Sequence, residues 1–483
     1  MRPLSGSLFM LGMTAAHTAA SNVNINLEAL FGPHVSSGTL IASASDANFS
    51  SVVGPRWSSW QPPQYFGAIK PANEADLQAI IKIAKAHNVS FHATTSGHGT
   101  NMQYGKIKNA LNINLGNFKS VSIDTANNRL TIGGATSFGD VFGPLWAAGK
   151  EVQTGNSVCV GMVGATIGGG IGSMQGLHGL MVDALESVRM VTASGEVVTA
   201  SETENPDLFW AVRGAGANFG IITSATYRVF DQTANGSAIL AEFVYPAAAN
   251  RSVWELLQSY DNNLPRPLAL FPEVGYNRTT NEPMVLYVAI YFGTLEEAQP
   301  HFDKARALGP VSTTIVNTTA PGVYTMLSQG VCDNGNYQNE YTVGLQHTDV
   351  ATMEDVFADM VAFYEANPEY NGKVIYQRYS NEVALQTPVS KTAYPWRDIK
   401  TYLLFENIYT NPALDDAVTS FSEKIRDKIQ ATSGYPNRRV YLNYDHGDEG
   451  PAAWWGADHL RKLRALKAKW DPDNLFGKGA PMN

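Results

Sequence analysis

The sequence predicts an α+β fold with two domains, one of which has a large antiparallel sheet covered by helices. At 483 residues, the chain is longer than one hydrophobic core usually accommodates. From about 235 to 425, long strand patterns alternate with four amphipathic helix patterns, which is typical of an antiparallel sheet with helices on one side. Before residue 230 the strand patterns are shorter, and a glycine-dense stretch interrupts them. A second domain of a different kind therefore precedes the sheet domain.

In the first domain, residues 21–60 are rich in Ser, Asn and Gly and predict irregular surface chain. A strand at 67–71 is followed by a helix, for which Asn73 is a plausible N-cap. A strand at 89–94 then runs into a polar loop at 96–101. Further elements are predicted as strands at 110–115, 121–124 and 129–132, a helix at 140–148, a hairpin of 187–192 with 195–198, a helix at 206–212 and a strand at 219–226.

The second domain has longer elements. Its strands are predicted at 239–245, 284–292, 342–346, 374–377 and 402–409, and its helices at 253–260, 295–308, 353–366 and 413–429. The C-terminal part adds a strand at 439–444 and a helix at 457–469. Leu460, Leu463 and Leu466 give that helix an apolar face.

Composition and charge exclude several classes of partner. Apolar residues make up 44% of the chain, charged residues 16%, and the net charge is −9, as expected for an ordinary globular enzyme. A negative chain without a basic run does not favour nucleic acid or an anionic membrane as partner. No apolar segment reaches 18 residues, so no membrane span is predicted. We expect a small-molecule substrate, no metal site, and a monomer or weak dimer.

The first twenty residues have the composition of a secretory signal peptide. Arg2 gives a positive start, residues 8–13 form a short apolar core, and residues 18–20 form a small-residue cleavage site. Six N-x-S/T sequons also favour a secreted, N-glycosylated protein. The acceptor residues are Asn48, Asn88, Asn235, Asn250, Asn277 and Asn317.

The chain has only two cysteines, Cys159 and Cys332. They are too few for a disulfide framework, although they could form a single bond. Because they lie far apart in the sequence, two buried thiols are an equally good interpretation. For Cys159 we expect a small buried thiol.

The stretch from Gly161 to Gly172 is the densest local signal in the chain. Six of its twelve residues are glycine. Such density is expected where the backbone approaches a ligand closely or takes positive φ, and free N–H groups in such a loop bind phosphate or a flat cofactor. The spacing fits neither a Walker loop nor GxGxxG. From this stretch alone, a glycine-rich structural turn stays an alternative.

Four separated segments share one wider pattern. They are Ser-Gly-His-Gly at 96–99, the glycine-rich segment at 157–183, the segment 207–222, and Tyr-Leu-Asn-Tyr-Asp at 441–445 followed by Trp455-Gly456 and residues 471–476. Residues 393–397 add a looser match. Together these segments resemble the berberine-bridge-enzyme-like FAD oxidases of the vanillyl-alcohol-oxidase superfamily, over about residues 60–480. No single motif is specific, but the combination is.

The resemblance implies a domain order and a cofactor. It implies a two-lobed PCMH-type FAD-binding domain at 21–233 (its PCMH-type part at about 62–232), a substrate-binding domain at 234–425, and a C-terminal segment at 426–483 that completes the FAD domain. Backbone amides of the loop at 96–101 and of the glycine-rich stretch are expected to bind the FAD pyrophosphate. The expected cofactor residues are Ser96, Gly97, His98, Gly99, Thr100, Asn101, Ser157, Val160, Gly161, Gly164, Ala165, Thr166, Gly168, Gly169, Gly170, Gly172, Gly220, Ile221, Ile222 and Asn443.

The resemblance also implies a covalent link between the cofactor and His98. In the family, the histidine of the Gly-His motif carries the flavin, and many members have a second link through a cysteine. The position of that cysteine is Ser157 here, and serine cannot form the thioether. A single histidyl link is therefore expected. A register in which Cys159 forms the second link is the alternative.

Three residues are candidates for the catalytic base. Tyr441 and Tyr444 flank Asn443 in the C-terminal motif, and the resemblance implies that the first tyrosine lies near the reacting face. A phenol needs a cationic or hydrogen-bonded neighbour to act as a base at neutral pH. Glu406, in an otherwise apolar strand, is the alternative base, since burial raises a carboxyl pKa; it could equally form a structural ion pair. Gln377, Arg378 and Arg397 could also face the substrate.

The resulting functional hypothesis is a FAD-dependent oxidase. It would oxidise an alcohol, sugar or ring carbon of a secondary metabolite, with O₂ as acceptor. Because one covalent link replaces two, a small hydrophobic or phenolic product is favoured over a sugar. A cyclase of the same fold, acting with or without oxidation, is the second hypothesis, and a structural FAD is the third.

Overall fold

The computed structural model describes residues 25–482, so the expected signal peptide lies outside the described residues. The strands, in chain order, are β1 (Leu40–Ser43), β2 (Tyr65–Lys70), β3 (Phe91–Thr94), β4 (Ala110–Asn114), β5 (Val121–Asp124), β6 (Arg129–Gly133), β7 (Lys150–Glu151), β8 (Leu185–Val191), β9 (Val197–Ser201), β10 (Ile221–Arg228), β11 (Phe230–Asp231), β12 (Ser237–Pro246), β13 (Leu268–Asn277), β14 (Glu282–Phe292), β15 (Ser312–Thr319), β16 (Gln338–Leu345), β17 (Lys373–Tyr379) and β18 (Thr401–Ile408).

The helices are α1 (Leu27–Phe31), α2 (Phe49–Val53), α3 (Glu74–Ala86), α4 (Phe138–Ala147), α5 (Met162–Ile167), α6 (Gln175–His178), α7 (Met181–Ala184), α8 (Pro206–Ala215), α9 (Asn250–Gln258), α10 (Leu295–Arg306), α11 (Ala320–Leu327), α12 (Val350–Ala366), α13 (Asp415–Ala431) and α14 (Pro451–Trp470).

The first domain has two main sheets and a two-stranded antiparallel pair of β7 with β11. The smaller has the strand order β1-β2-β4-β3, in which β2 and β3 both run parallel to β4. The larger has the order β5-β6-β10-β8-β9 and is antiparallel. Helix α3 begins where the Asn73 side chain accepts a hydrogen bond from the Asp76 amide, as the N-cap prediction requires. The polar loop at 96–101 follows β3 directly.

The second domain is a seven-stranded antiparallel sheet with the order β15-β12-β14-β13-β17-β18-β16. Helices α9, α10, α12 and α13 cover one face, and Trp254, Phe302 and Phe357 lie in the core between. The other face carries Phe271 and Val288 towards the first domain. The predicted antiparallel sheet covered by helices is thus confirmed. The predicted boundary at 425 falls inside α13, which packs on β16.

Two segments differ from the sequence-based expectation. Residues 21–60, expected to be irregular surface chain, contain α1, β1 and α2 and bury Trp57 and Trp60. Instead of a strand at 439–444, the chain forms a 3-10 turn at Leu442–Tyr444. In a strand, Tyr441 and Tyr444 would point to opposite faces; in a 3-10 turn, residues three apart share a side. Their ring centroids lie 4.9 Å apart.

The expectation of a buried thiol at Cys159 is wrong. Cys159 forms a disulfide with Cys332, 173 positions later in the chain. The bond joins the loop before α5 to the loop between α11 and β16, so it links the two domains. The sequence carries no local signal for such a pair, because it forms only when the domains dock. Cys159 is therefore not available as a second flavin ligand.

The sequons differ in accessibility. Asn48, Asn88, Asn235 and Asn317 are exposed, and Asn277 is half-buried. Asn250 is buried, and its Oδ1 accepts a hydrogen bond from Trp254 Nε1. The expectation of a glycan at Asn250 is therefore corrected, since the folded protein has no room for one there. Among residues 25–482, no helix is both long and apolar enough to cross a membrane.

Candidate active site

A cavity of about 530 Å³ lies between the first domain and the seven-stranded sheet. The loop at 96–101 and α5 form one side, β13, β17 and β18 form the opposite side, and residues 475–480 lie at the wall of the first domain. Most of the expected cofactor residues line it: Ser96, Gly97, His98, Gly99, Thr100, Asn101, Ser157, Val160, Gly161, Gly164, Ala165, Gly168, Gly220, Ile221, Ile222 and Asn443.

Four of the expected cofactor residues lie outside this wall, which corrects their assignment: Thr166, Gly169, Gly170 and Gly172. The Thr166 hydroxyl hydrogen-bonds to Tyr227 in the core. A Cβ at Gly172 would lie 1.9 Å from the Thr154 carbonyl oxygen. A Cβ at Gly169 would lie 2.7 Å from the Tyr394 ring, and one at Gly170 would lie 2.3 Å from Met181 Cβ. The glycine-rich stretch at 161–172 therefore contains two kinds of glycine: some line the cavity, and others are required because neighbouring atoms pack too closely for a Cβ.

The loop at 96–101 presents its backbone to the cavity. Gly97 has φ of +75°, a conformation that favours glycine. Within residues 25–482, the backbone N–H groups of residues 97–100 donate to no protein acceptor. The Ser96 hydroxyl accepts a hydrogen bond from the Gly161 amide at 3.0 Å, which ties this loop to the start of α5. Consecutive free amides at a concave wall form a site for an anion such as a phosphate.

His98 is held at this wall by two residues that the sequence analysis missed. Its ring stacks on Trp57, with the centroids 5.1 Å apart. Arg56 donates a hydrogen bond to the Gly99 carbonyl oxygen, and its side chain lines the cavity. Burial, aided by the Arg56 charge, lowers the pKa of His98 to about 4. The imidazole is therefore neutral at pH 7 and keeps a nitrogen lone pair.

Both candidate tyrosines carry protonated hydroxyls. The Tyr441 oxygen accepts hydrogen bonds from the Ile171 amide at 3.3 Å and from Asn443 Nδ2 at 2.7 Å. The Tyr444 hydroxyl donates to Gln377 Oε1 at 3.2 Å. Burial raises the pKa of both phenols. In the described part of the chain, neither hydroxyl has the cationic partner that a phenolate base would require.

Glu406 faces the cavity beside other charged side chains. Lys373 Nζ lies 3.7 Å from Glu406 Oε2 and 3.6 Å from Glu273 Oε2. On the next strand, Glu340 Oε2 accepts a hydrogen bond from Thr100 Oγ1 at 3.2 Å. Burial raises the pKa of Glu406, and the Lys373 charge opposes that rise. Glu406 thus has an ion-pair partner and a position in the cavity wall at the same time.

The three further candidates separate into two groups. Gln377 lines the cavity. Arg378 is buried against Asp261, and Arg397 is buried against Asp183, so neither guanidinium faces the cavity. Sequence reasoning missed Glu273, Glu340 and Lys373. A usable signal was the alternation of Lys373 with Ile375 and Gln377, which places all three on one face of β17.

Comparison with known proteins gives the family. The model described as "FAD binding domain" matches residues 67–201, and the one described as "Berberine and berberine like" matches residues 440–479. FAD-linked oxidoreductase afoF of Emericella nidulans is 50% identical over 478 residues, which cover 98% of this chain and 99% of that protein. The chain belongs to the berberine-like FAD-linked oxidoreductases. This FAD-linked oxidoreductase is therefore an enzyme, and the resemblance noted in the sequence is confirmed.

Two solved structures share the fold of this oxidoreductase. BBE-like 1 from Physcomitrella patens has a TM-score of 0.83 at 21% identity, covering 95% of this chain and all of that one. Glucooligosaccharide oxidase from Acremonium strictum, with its 6-S-cysteinyl, 8α-N1-histidyl FAD, has a TM-score of 0.82 at 21% identity, covering 93% and 98%. Both confirm the two-domain α+β architecture.

The residues of this oxidoreductase fit FAD. The free amides of residues 97–100 suit the pyrophosphate. A Cβ built on Gly164, in the middle of α5, meets no atom within 4 Å, so the helix leaves open space on its cavity side for a flat ring system. Gly164 is thus a glycine whose missing side chain enlarges the cavity itself.

Proposed function

We propose that this FAD-linked oxidoreductase is an oxidase that removes a hydride from an alcohol or ring carbon of a small organic substrate, with O₂ as acceptor. Bound FAD supplies the hydride acceptor. The observation that carries the proposal is Glu406, a carboxylate in the cavity wall opposite the loop that carries His98. Oxidation of an alcohol also releases a proton, and a carboxylate at this position can accept it.

Glu406 is a better candidate for this base than either tyrosine. Burial raises the pKa of the Glu406 carboxyl, which strengthens it as a base, while Lys373 keeps part of the ionised form. Tyr441 and Tyr444 keep their protons, because burial raises their pKa and no cation among the described residues offsets this rise. Their role in this proposal is to orient: Tyr441 is fixed by Asn443, and Tyr444 by Gln377.

We further propose that FAD is linked covalently through His98 alone. A neutral imidazole stacked on Trp57 has the lone pair that a bond to carbon requires. The glucooligosaccharide oxidase that shares this fold carries both a cysteinyl and a histidyl link. Here Ser157 lines the cavity without a thiol, and Cys159 is held in a disulfide. A single link is what these residues support.

Secretion and N-glycosylation are also part of the proposal. Disulfides persist mainly in oxidising compartments, and Cys159–Cys332 is such a bond. The exposed sequon residues Asn48, Asn88 and Asn317 are accessible to a glycan. A mass shift on glycosidase treatment of protein purified from a secreting eukaryotic host tests this.

The cofactor link is tested on denatured protein. We expect a fluorescent band under ultraviolet light on a denaturing gel for the wild type and for Ser157→Ala, and a dark band for His98→Ala. A fluorescent His98→Ala band would contradict the histidyl link. A dark wild-type band with yellow supernatant would show non-covalent FAD, and folded protein free of flavin would remove the oxidase proposal.

The base is tested by flavin reduction without oxygen. A panel of benzylic and hydroxyaryl alcohols is screened by peroxide release, and the best compound is used anaerobically. We expect Glu406→Gln to slow flavin bleaching by about 10²–10⁴-fold, the usual contribution of a general base, and Tyr444→Phe to slow it far less. The opposite ranking would move the base to Tyr444. If no compound reduces the flavin of the folded enzyme, the second hypothesis, a cyclase of the same fold, becomes the better supported one.

A further inference from the structure

Four polar side chains lie in a row across one end of the cavity-facing side of the sheet. They are Glu273 on β13, Lys373 on β17, Glu406 on β18 and Glu340 on β16, which are adjacent strands. In register, Lys373 is opposite Glu406, and Glu406 is opposite Glu340. All four line the cavity. We call these four residues the polar row.

Three members of the polar row have hydrogen-bonding capacity left over. Lys373 is 3.6 and 3.7 Å from its two carboxylate neighbours, beyond hydrogen-bond length. The side chains of these three residues are 29% (Lys373), 18% (Glu273) and 10% (Glu406) exposed, so bulk solvent reaches them poorly. Charged groups in such a place are costly unless something else bonds to them. All three side chains line the cavity, where a ligand can bond to them.

The polar row alternates between acceptors and donors. The carboxylates of Glu273 and Glu406 accept hydrogen bonds. Lys373 between them donates; burial opposes its charge, but the two carboxylates raise its pKa. Burial, aided by the Glu406 charge, raises the pKa of Glu340 to about 8, so this carboxyl keeps its proton at pH 7 and can donate. A ligand that pairs with every member of the row must therefore present hydrogen-bond donors to the two carboxylates and acceptors to Lys373 and to the protonated Glu340.

The spacing of the polar row sets a second condition. Side chains on neighbouring strands start about 4.8 Å apart at the backbone, which is close to the separation of two oxygens in 1,3 positions on a six-membered ring. Within the row, Lys373 Nζ leans to 3.6 and 3.7 Å from the carboxylates on either side. Next to the row, the same face of the sheet is apolar, with Phe271, Val288, Ile375 and Leu404. A sugar would leave its other hydroxyls unpaired against these side chains.

We propose that the polar row is the substrate-recognition site of the enzyme, and that it binds the oxygenated edge of a flat six-membered ring whose hydroxyl or carbonyl oxygens stand in 1,3 relation. The apolar patch beside it covers the rest of the ring system. This inference rests on the proposed function, in that the recognised compound is the substrate of the oxidase. Binding can nevertheless be measured without turnover.

Three isomers that differ only in oxygen spacing provide the test. The flavin-containing enzyme is titrated without oxygen with 5-methylresorcinol (1,3), 4-methylcatechol (1,2) and methylhydroquinone (1,4), and the flavin absorption change gives the dissociation constant. We expect the 1,3 isomer to bind at least about tenfold more tightly, as one well-made hydrogen bond to a charged group allows. Benzylamine and cellobiose serve as cationic and carbohydrate comparators. Both should bind more weakly than the 1,3 isomer, because an ammonium group can donate to the carboxylates but cannot accept a hydrogen bond from Lys373, and a sugar leaves hydroxyls unpaired against the apolar patch.

Variants connect this preference to the polar row. Lys373→Met should abolish the preference for the 1,3 isomer, and Lys82→Met, which removes the lysine of a surface ion pair, should leave it unchanged. Since Lys373→Met leaves two unpaired carboxylates, a second variant is the triple change Glu273→Leu, Lys373→Met and Glu406→Leu. Replacing a buried ionic cluster by apolar residues usually preserves the fold.

The outcomes separate this inference from the oxidase proposal. Equal binding of the three isomers, a preference that survives both variants, or tighter binding of benzylamine or cellobiose would overturn the role of the polar row. If other compounds reduce the flavin at a rate that Lys373→Met does not change, the role of the polar row is overturned and the oxidase proposal stands. Row-dependent binding of the 1,3 isomer supports recognition even if the flavin is never reduced.

Discussion

At the scale of single residues, the buried environment of Glu340 makes the stability of the protein depend on pH. Burial, aided by the Glu406 charge, raises its pKa from the ordinary value of 4.5 to about 8. Because the folded state holds the proton more tightly, the contribution of this group to stability is complete below about pH 4.5. It is lost as the pH rises towards 8, with a slope of at most about 1.4 kcal/mol per pH unit.

This linkage predicts the behaviour of Glu340→Gln, whose amide stays neutral. Relative to the wild type, we expect the variant to gain in free energy of unfolding as the pH rises from 5.5 to 8.5, roughly 1 kcal/mol or more over this range. Chemical denaturation at several pH values measures the difference. Glu296→Gln, at an exposed position, is the control variant. Parallel profiles for Glu340→Gln and the wild type would contradict the prediction.

At the scale of secondary-structure elements, the sequence predicts features formed by residues adjacent in the chain. It misses contacts between segments that come together only in the folded protein. The loop with His98 was predictable, since its glycines and the preceding strand are adjacent in the chain. Arg56 reaches the same wall from a segment that had no recognisable pattern. Glu273 was missed with its whole strand, because strand β13 shows no alternation: it is buried along most of its length. Which charged residues become neighbours depends on strand order, which the sequence does not show.

The two kinds of glycine around α5 give a second prediction. Alanine is favoured over glycine inside a helix by up to about 1 kcal/mol. A Cβ at Gly164 meets nothing in the protein but enters the cavity. In a His98→Ala background, in which the flavin can be removed, we expect Gly164→Ala to stabilise the flavin-free protein and to weaken FAD binding.

Gly143 provides the matched control for this prediction. It lies inside α4, its Cβ would also meet nothing within 4 Å, and it is not part of the cavity wall. Because Pro144 follows it and disfavours helical backbone in a residue with a Cβ, Gly143→Ala should give a smaller gain in stability, without any loss of FAD. Thermal unfolding of flavin-free protein and a fluorescence titration with FAD measure the two effects. Full FAD affinity in Gly164→Ala would show that the cofactor does not lie against α5.

At the scale of the whole molecule, residues 328–336 act as a strap between the domains. The Ser328 hydroxyl accepts a hydrogen bond from the Val158 amide. The carbonyl oxygen of Val331, a residue of the cavity wall, accepts one from Trp57 Nε1 at 2.7 Å. The disulfide at Cys332 adds a covalent attachment on the side of the glycine-rich stretch. The strap thus connects the residues around His98, the loop before α5 and the sheet domain.

The disulfide of the strap gives the last prediction. Because it closes a loop of 173 positions, its removal in Cys159→Ser/Cys332→Ser should lower the free energy of unfolding by about 2–5 kcal/mol. Asp333 is exposed, so loosening of the strap should speed cleavage of the backbone there by an aspartate-specific protease, and bound flavin should slow this cleavage. Denatured wild type should contain no free thiol until reductant is added. Free thiols in that sample, or equal unfolding midpoints and equal cleavage rates, would mean that noncovalent contacts alone hold the two domains around the cavity.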